Sequence, residues 1–294
     1  MARTSFTLTL AAATALAGGG VAAYAHDLTA TSVMGQGNFG PSPIHAQGFS
    51  APEAALVPDG WDRAIVSNTN GGEPGFLSLL NFDGTIENLH WVDGLGSPTG
   101  MRAFENTLYV ANGTEIASVD MDAAALTGAV ACPDAGFIND IATGPDGAVY
   151  GSETFAGGIY TIAPGGDTCE WFIEGGDPLL QTINGLYGAD DALMVVTIPG
   201  NVLSIDYGTK EITVLGEGVG SLDGIEPFDD DSWLLSDTRG KLVHFHDGEA
   251  QVLNDTSSGG IGANDMAFDP ETGTALLTRL AFGMVSLYTV TDAE

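Results

Sequence analysis

Along most of this chain, apolar and polar residues alternate in short runs set off by Gly, Asp, Asn and Pro, the pattern of strands with one covered face. Gly158-Ile159-Tyr160-Thr161-Ile162 and Lys241-Leu242-Val243-His244-Phe245 are representative. Between 140 and 173 the pattern predicts strands at 140–143, 148–152, 158–162 and 169–173, with a turn at Pro145-Asp146-Gly147. The same plan recurs at 224–227, 233–236, 241–245 and 250–253. Only residues 122–126 invite a helix, and a short one. The expected class is all-β, and 42 glycines suit its many tight turns.

A longer period overlies the alternation. A polar residue, usually followed by Gly or Asp and then an apolar residue, opens a phrase that returns six times. The copies are Glu53-Ala54-Ala55, Thr99-Gly100-Met101, Asn139-Asp140-Ile141, Asn184-Gly185-Leu186, Asp223-Gly224-Ile225 and Asn264-Asp265-Met266. About ten residues after each opening comes a short apolar run ending in Ser, Thr, Ala or Asn. The spacings of 46, 40, 45, 39 and 41 residues fit one four-stranded blade per copy. This predicts a six-bladed β-propeller over residues 50–294. After the run at 285–290 only four residues remain, so the sixth copy lacks a fourth strand. An open ring would leave an unpaired edge. Residues 44–49 are expected to supply the missing strand, with 26–43, rich in Gly, Ser and Thr, as a loose arm before it.

The N-terminus reads as an export signal. Met1-Ala2-Arg3 carries positive charge, residues 6–17 are largely apolar, and Ala23-Tyr24-Ala25 fits the small-x-small cleavage rule. Cleavage would leave His26 first and place the protein in the periplasm or outside the cell. No later segment is long and apolar enough to span a bilayer. The formal charge of −32, from 39 acids against 7 bases, argues against nucleic acid or an anionic membrane as partner. It suits a solvated acidic surface, and also a channel lined with carboxylates that attracts cations. We expect a monomer that takes a small molecule. The two cysteines, Cys132 and Cys169, are compatible with one disulfide in an oxidising compartment or with two separate buried thiols.

In a propeller the innermost strands surround one central channel, so equivalent positions form a ring. The phrase-opening residues Glu53, Thr99, Asn139, Asn184, Asp223 and Asn264 are all oxygen donors. A hard cation such as calcium takes six to eight oxygens from carboxylates, amide carbonyls and water. Asn and Asp also favour turns that enter strands, which accounts for those copies but poorly for Glu53.

These phrases, with Pro98-Thr99-Gly100-Met101, Asn184-Gly185-Leu186 and Asp223-Gly224-Ile225 most telling, resemble the SMP-30/gluconolactonase/LRE-like six-bladed propellers over residues 50–290. The resemblance implies one divalent cation in the channel, calcium first and zinc second. Its ligands would be Glu53, Asn184, Asp223 and Asn139, matching by chemical type and blade order. It implies a lactonase-type hydrolase in which Asp223 is the catalytic residue and Asn139, Phe137 and Thr99 contact substrate. The first-blade motif departs from the family's Glu-Gly-Pro, reading Glu53-Ala54-Ala55. Phe137 stands where the lactonases carry an Arg for a sugar acid, which points to a less polar ligand. A non-catalytic propeller that binds a small ligand or a protein is the alternative.

Other candidates are weaker. His244 and His246 share one face of a strand, a spacing open to zinc, but fit two exposed histidines on an outer strand better. A free amino-terminal His26 could bind copper, but no partner histidine is indicated. Gly35-Gln36-Gly37-Asn38-Phe39-Gly40 has the letters of a dinucleotide fingerprint but runs into Pro41-Ser42-Pro43 rather than a helix. Trp61, Trp91, Trp171 and Trp233 read as packing residues.

Overall fold

The structure is a computed structural model describing residues 28–37 and 40–292. The leader and the cleavage site before His26 lie outside the described residues. Six antiparallel sheets, four strands deep, follow one another round a ring. Their innermost strands are Pro52–Leu56, Pro98–Phe104, Ile138–Thr143, Ile183–Gly188, Leu222–Pro227 and Met266–Asp269. Each packs against the next, and the sixth returns to the first. The third blade continues through Val149–Glu153, Gly158–Ile162 and Cys169–Ile173, the fifth through Ser232–Asp237, Lys241–His246 and Glu249–Asp255. The alternation pattern therefore finds these strands to within two residues at each end.

Blades are held together by apolar layers, one at each of the six interfaces among the described residues. Ile65, Leu77, Leu108 and Val110 fill the seam between blades 1 and 2; Leu186, Val195 and Phe172 fill that between 3 and 4. The remaining seams hold Ile116, Ile141 and Tyr160, then Val196, Leu235 and Phe245, then Leu234, Met266 and Tyr288, and finally Val66, Leu276 and Val285. Alternate residues of a pleated strand point to opposite faces, so both faces of each blade must be apolar to feed two seams. Trp171 stacks on Tyr160 at 3.7 Å, Trp61 meets Trp91 edge-on, and Trp233 meets Tyr187 of blade 4.

Closure of the ring differs from expectation. The sixth blade's third strand, Met284–Asp292, takes two partners on its outer side. Leu28–Ser32 pairs with it from Leu28↔Asp292 to Ser32↔Tyr288, and His45–Gln47 pairs with Met284–Ser286. Val33 N donates to Leu287 O and Leu287 N to Ile44 O, so the strand is covered along its length. Residues 44–49 thus supply only the shorter part of the fourth strand. The stretch read as a loose arm holds its longer part, with Leu28 buried in the seam between blades 5 and 6. The intervening chain forms a hairpin of Met34–Gly37 and Gly40–Pro43.

Two smaller expectations also change. Residues 122–126 make a turn, not a helix, with Ala124 at φ 50° and the outer strand Ala125–Ala131 beginning beside it. His244 and His246 lie on the third strand of blade 5, not the outer one, and His244 is buried against Phe228. Cys132, on the connection into blade 3, is bonded to Cys169 at the start of that blade's outermost strand, which resolves the two readings in favour of the disulfide.

Candidate functional site at the channel mouth

Each phrase marks a bulge. Between Ile138 and Ile141 the inner strand advances three residues while its neighbour advances two, so Asn139 and Asp140 together oppose Ser152. Blades 1, 4 and 5 shift at the equivalent places, Pro52/Ala55, Ile183/Leu186 and Leu222/Ile225. The bulge frees an N–H that the ladder no longer satisfies. A hydroxyl on the second strand accepts it: Ser67 from Ala54, Ser152 from Asp140 and Ser236 from Gly224, at 2.7–3.0 Å. In blade 6 the hydroxyl of Thr278 instead lies between Asp265 O and Glu53 O, sharing its one proton and stitching the last blade to the first. This explains the second half of the phrase. In blades 1, 3 and 5 the Ser closing the apolar run is the support under the bulge.

Glu53, Thr99, Asn184 and Asp223 are buried here, and Asn139 and Asn264 half-buried. Glu53 Oε2 and Asn184 Oδ1 have no hydrogen-bond partner. Asn264 donates to Asp223 Oδ2 at 3.4 Å, and the Asn184 amide donates to Leu222 O at 3.4 Å. The Thr99 hydroxyl donates to Asn139 O at 2.6 Å and so joins blade 2 to blade 3. Phe137 is half-buried and packs on Phe155 with ring centres 5.9 Å apart.

Two carboxylates join this set that the sequence reading passed over. Asp140 and Asp265 occupy the second position of the third and sixth phrases, where three of the other four copies have Gly. Asp140 accepts from Ile141 N and from Leu186 N of blade 4, both at 2.7 Å; Asp265 accepts from Met266 N. Each fits into space left by a glycine of the preceding blade. A Cβ on Gly100 would lie 1.9 Å from Asp140 Oδ1, and one on Gly224 2.1 Å from Asp265 Oδ1. The signal was in the phrase itself, as Asn-Asp in place of Asn-Gly.

Glu53, Asp140, Asp223 and Asp265 sense one another's charge. Burial, then Asp223 and Asp140, push the Glu53 carboxyl well above the usual range. Burial and Asp140 push Asp223 up to about 7 against the hydrogen bonds from Asn184 and Asn264. Burial also pushes Asp140 up to about 7, opposed by Arg102 and the two N–H donors. Asp265 rises well above its ordinary value through burial, then the other three carboxylates. Crowded, desolvated carboxylates cannot all ionise near neutrality without a compensating positive charge. Among the described residues no three His, Cys, Asp or Glu side chains gather into a metal cluster by themselves. A cation held here must draw on the amides as well.

Three residues further along the inner strands, Arg102, Tyr187 and Glu226 form a second layer. Arg102 grips Glu226 with both terminal nitrogens, at 2.9 and 3.3 Å, and lies 5.0 Å from the centre of the Tyr187 ring. Beyond them, at the opposite end of the strands, opens a cavity of about 550 Å³ lined by Trp61, Phe104, Arg102 and Tyr187 among others. None of the phrase-opening residues lines it. The crowded carboxylates therefore sit at one end of the channel and this cavity at the other. We take the first as the candidate site because it holds two unpartnered buried oxygens, Glu53 Oε2 and Asn184 Oδ1.

The fold and site together define a six-bladed propeller with an oxygen-rich, carboxylate-crowded channel mouth. No protein-family model matches the sequence, and no curated protein matches it significantly. Solved structures do share the fold. A gluconolactonase from Xanthomonas campestris superposes with a TM-score of 0.66 at 16% identity, over 84% of this chain and 88% of that one. A streptogramin B lyase superposes at 0.63 with 14% identity, over 90% and 98%. A catalytically inactive virginiamycin B lyase from Staphylococcus aureus, solved with quinupristin, superposes at 0.62 with 15% identity, over 90% and 99%.

Proposed function

We propose that this chain is an exported, cation-dependent hydrolase of the lactonase or esterase type, acting in the periplasm or outside the cell on a small neutral substrate. The observation that carries the reading is the pair of buried, unpartnered oxygens, Glu53 Oε2 and Asn184 Oδ1, beside the Asp223 carboxylate. Leaving such atoms unsatisfied is costly, typically about 1–3 kcal/mol each, and more for a charged group. Glu53, Asn184, Asp223 and Asn139 suit calcium, with zinc second, because every donor is oxygen. When bound, the cation supplies Lewis acidity to a substrate carbonyl. Asp223, beside the cation, takes the proton of the attacking water. The Asn139 amide, half-buried at the mouth, orients the ligand, with Thr99 fixing its backbone.

The test is metal analysis of the purified protein, followed by calcium titration against melting temperature and against hydrolysis of a lactone and ester panel. Calcium should raise both, and Asp223→Ala should lose both responses. If calcium raises the melting temperature alone, the ion is structural and the protein is a binding propeller. Ala54-Ala55 in place of Gly-Pro, and Phe137 in place of Arg, favour that second reading. A melting temperature that rises in Asp223→Ala, with no metal in the parent, would sink the cation site.

A further inference from the structure

The exposed large hydrophobic residues of the described chain fall into two groups. Leu126, Val214, Leu215 and Val252 lie on outermost strands, at the rim of the disc. Phe155 and Phe282 lie instead on loops that follow second strands, on the face where the phrases begin. Phe155 is the more exposed, at 77%. An isolated surface apolar residue needs no explanation. Phe155 differs because the loop that presents it is built and is tied to the site.

Glu153, itself 1% exposed, accepts hydrogen bonds from Gly136 N, Phe137 N and Ala156 N. One carboxylate thus fixes both strands of chain that carry the two phenyl rings. Thr154 N donates to Phe137 O, and the Thr154 hydroxyl donates to Ile183 O at 2.9 Å. Ile183 immediately precedes Asn184, and Phe137 lies two residues before Asn139. Gly157 turns at φ 69° under Leu180 O, leaving no room for a Cβ there. Gly136 is close-packed too, since its Cβ would stand 3.0 Å from the Phe155 ring. The rings are therefore held between the openings of blades 3 and 4, next to two of the four proposed ligands.

We propose that Phe137 and Phe155 form an apolar lip on the channel mouth that selects lactones or esters bearing an uncharged aromatic or alkyl substituent. This rests on the hydrolase reading and names the substrate class of that same site. The reacting ring reaches in toward Asn139 and Asp223 while its substituent lies against the exposed face of Phe155. A polyhydroxylated substrate gains nothing from that face. Aromatic side chains give large contact area and a defined stacking geometry, so one exposed ring is enough to bias choice among substrates that share a reacting group.

The experiment compares γ-butyrolactone, γ-phenyl-γ-butyrolactone and glucono-δ-lactone in calcium. We expect kcat/KM for the phenyl lactone to exceed that for the unsubstituted lactone by about tenfold, within the range that one apolar contact confers. Phe155→Ala should remove most of that preference and Phe155→Leu only part of it, with the melting temperature of both variants near that of the parent. A preference unchanged by Phe155→Ala, or a parent that prefers glucono-δ-lactone, overturns the lip while leaving the hydrolase intact. If the parent hydrolyses none of the three, calorimetric titration with γ-phenyl-γ-butyrolactone decides. Binding that Phe155→Ala abolishes keeps the lip and rejects hydrolysis; no binding rejects both.

Discussion

Asp223 shows how one side chain links fold stability to ligand chemistry. In the cation-free protein its carboxyl is held near pH 7 by burial and by Asp140, against an ordinary value close to 4. Between those two values the folded state binds the proton that the unfolded chain has lost. Stability therefore falls as pH rises through that window, and Glu53, Asp140 and Asp265 shift in the same direction. We expect EDTA-treated protein to melt lower at pH 8 than at pH 5, and added calcium to restore the loss at pH 8. Asp223→Asn removes one of the titrating groups, so the pH slope of its melting temperature should be shallower. An EDTA-treated parent that melts higher at pH 8 would contradict the crowding of charge. The glycines belong to the same scale. Gly100 and Gly224 keep the space into which Asp140 and Asp265 fit, so an acid in one blade depends on a missing side chain in the blade before.

At the scale of strands, the bulge links the repeat to the site. An extra residue in the inner strand re-aims the phrase-opening side chain, and the penultimate Ser of the neighbouring strand takes the freed N–H in blades 1, 3 and 5. Removing one such hydroxyl, as in Ser152→Ala, leaves the Asp140 N–H buried and unpaired. That should destabilise the protein by about 1–3 kcal/mol, read as a lower denaturant midpoint with an unchanged m-value. The strands of blades 3 and 5 were legible because alternation and turn residues are local signals. Leu28–Ser32 was not legible. Leu-Thr-Ala-Thr-Ser carries one strongly apolar residue, and what makes it a strand is the unpaired edge of Met284–Asp292 at the other end of the chain. Residues 44–49 look more strand-like yet pair over only His45–Gln47. Glu53, Asn184 and Asp223 could be named from the repeat, which sets equivalent positions at one level of the channel. Arg102, Tyr187 and Glu226 were not legible, because three residues past the phrase openings the residue type changes from copy to copy: Leu56, Arg102, Ala142, Tyr187, Glu226, Ala267. Phe155 escaped because the turn that presents it exists only in the fold.

The whole molecule carries −32 charges on a disc whose two ends are joined by short strand pairings. Like charges at this density oppose compaction, and the opposition is long-ranged in dilute buffer because the Debye length is about 30 Å at 0.01 M salt. Sodium chloride at about 0.5 M shortens that length several-fold and should raise the melting temperature whether or not the channel mouth is intact. Calcium should act in two ways, as a general counterion and as an occupant of the mouth. The second acts only where Glu53, Asn184 and Asp223 are all present. We therefore expect the parent and Asp223→Ala to respond alike to sodium chloride, and only the parent to gain further from calcium added on top of it. Equal gains from calcium in both proteins, at a fixed high concentration of sodium chloride, would mean that calcium acts only as a counterion over the acidic surface. The crowded carboxylates of the mouth would then be held neutral by protons alone, and the binding propeller would replace the hydrolase as the account of this chain.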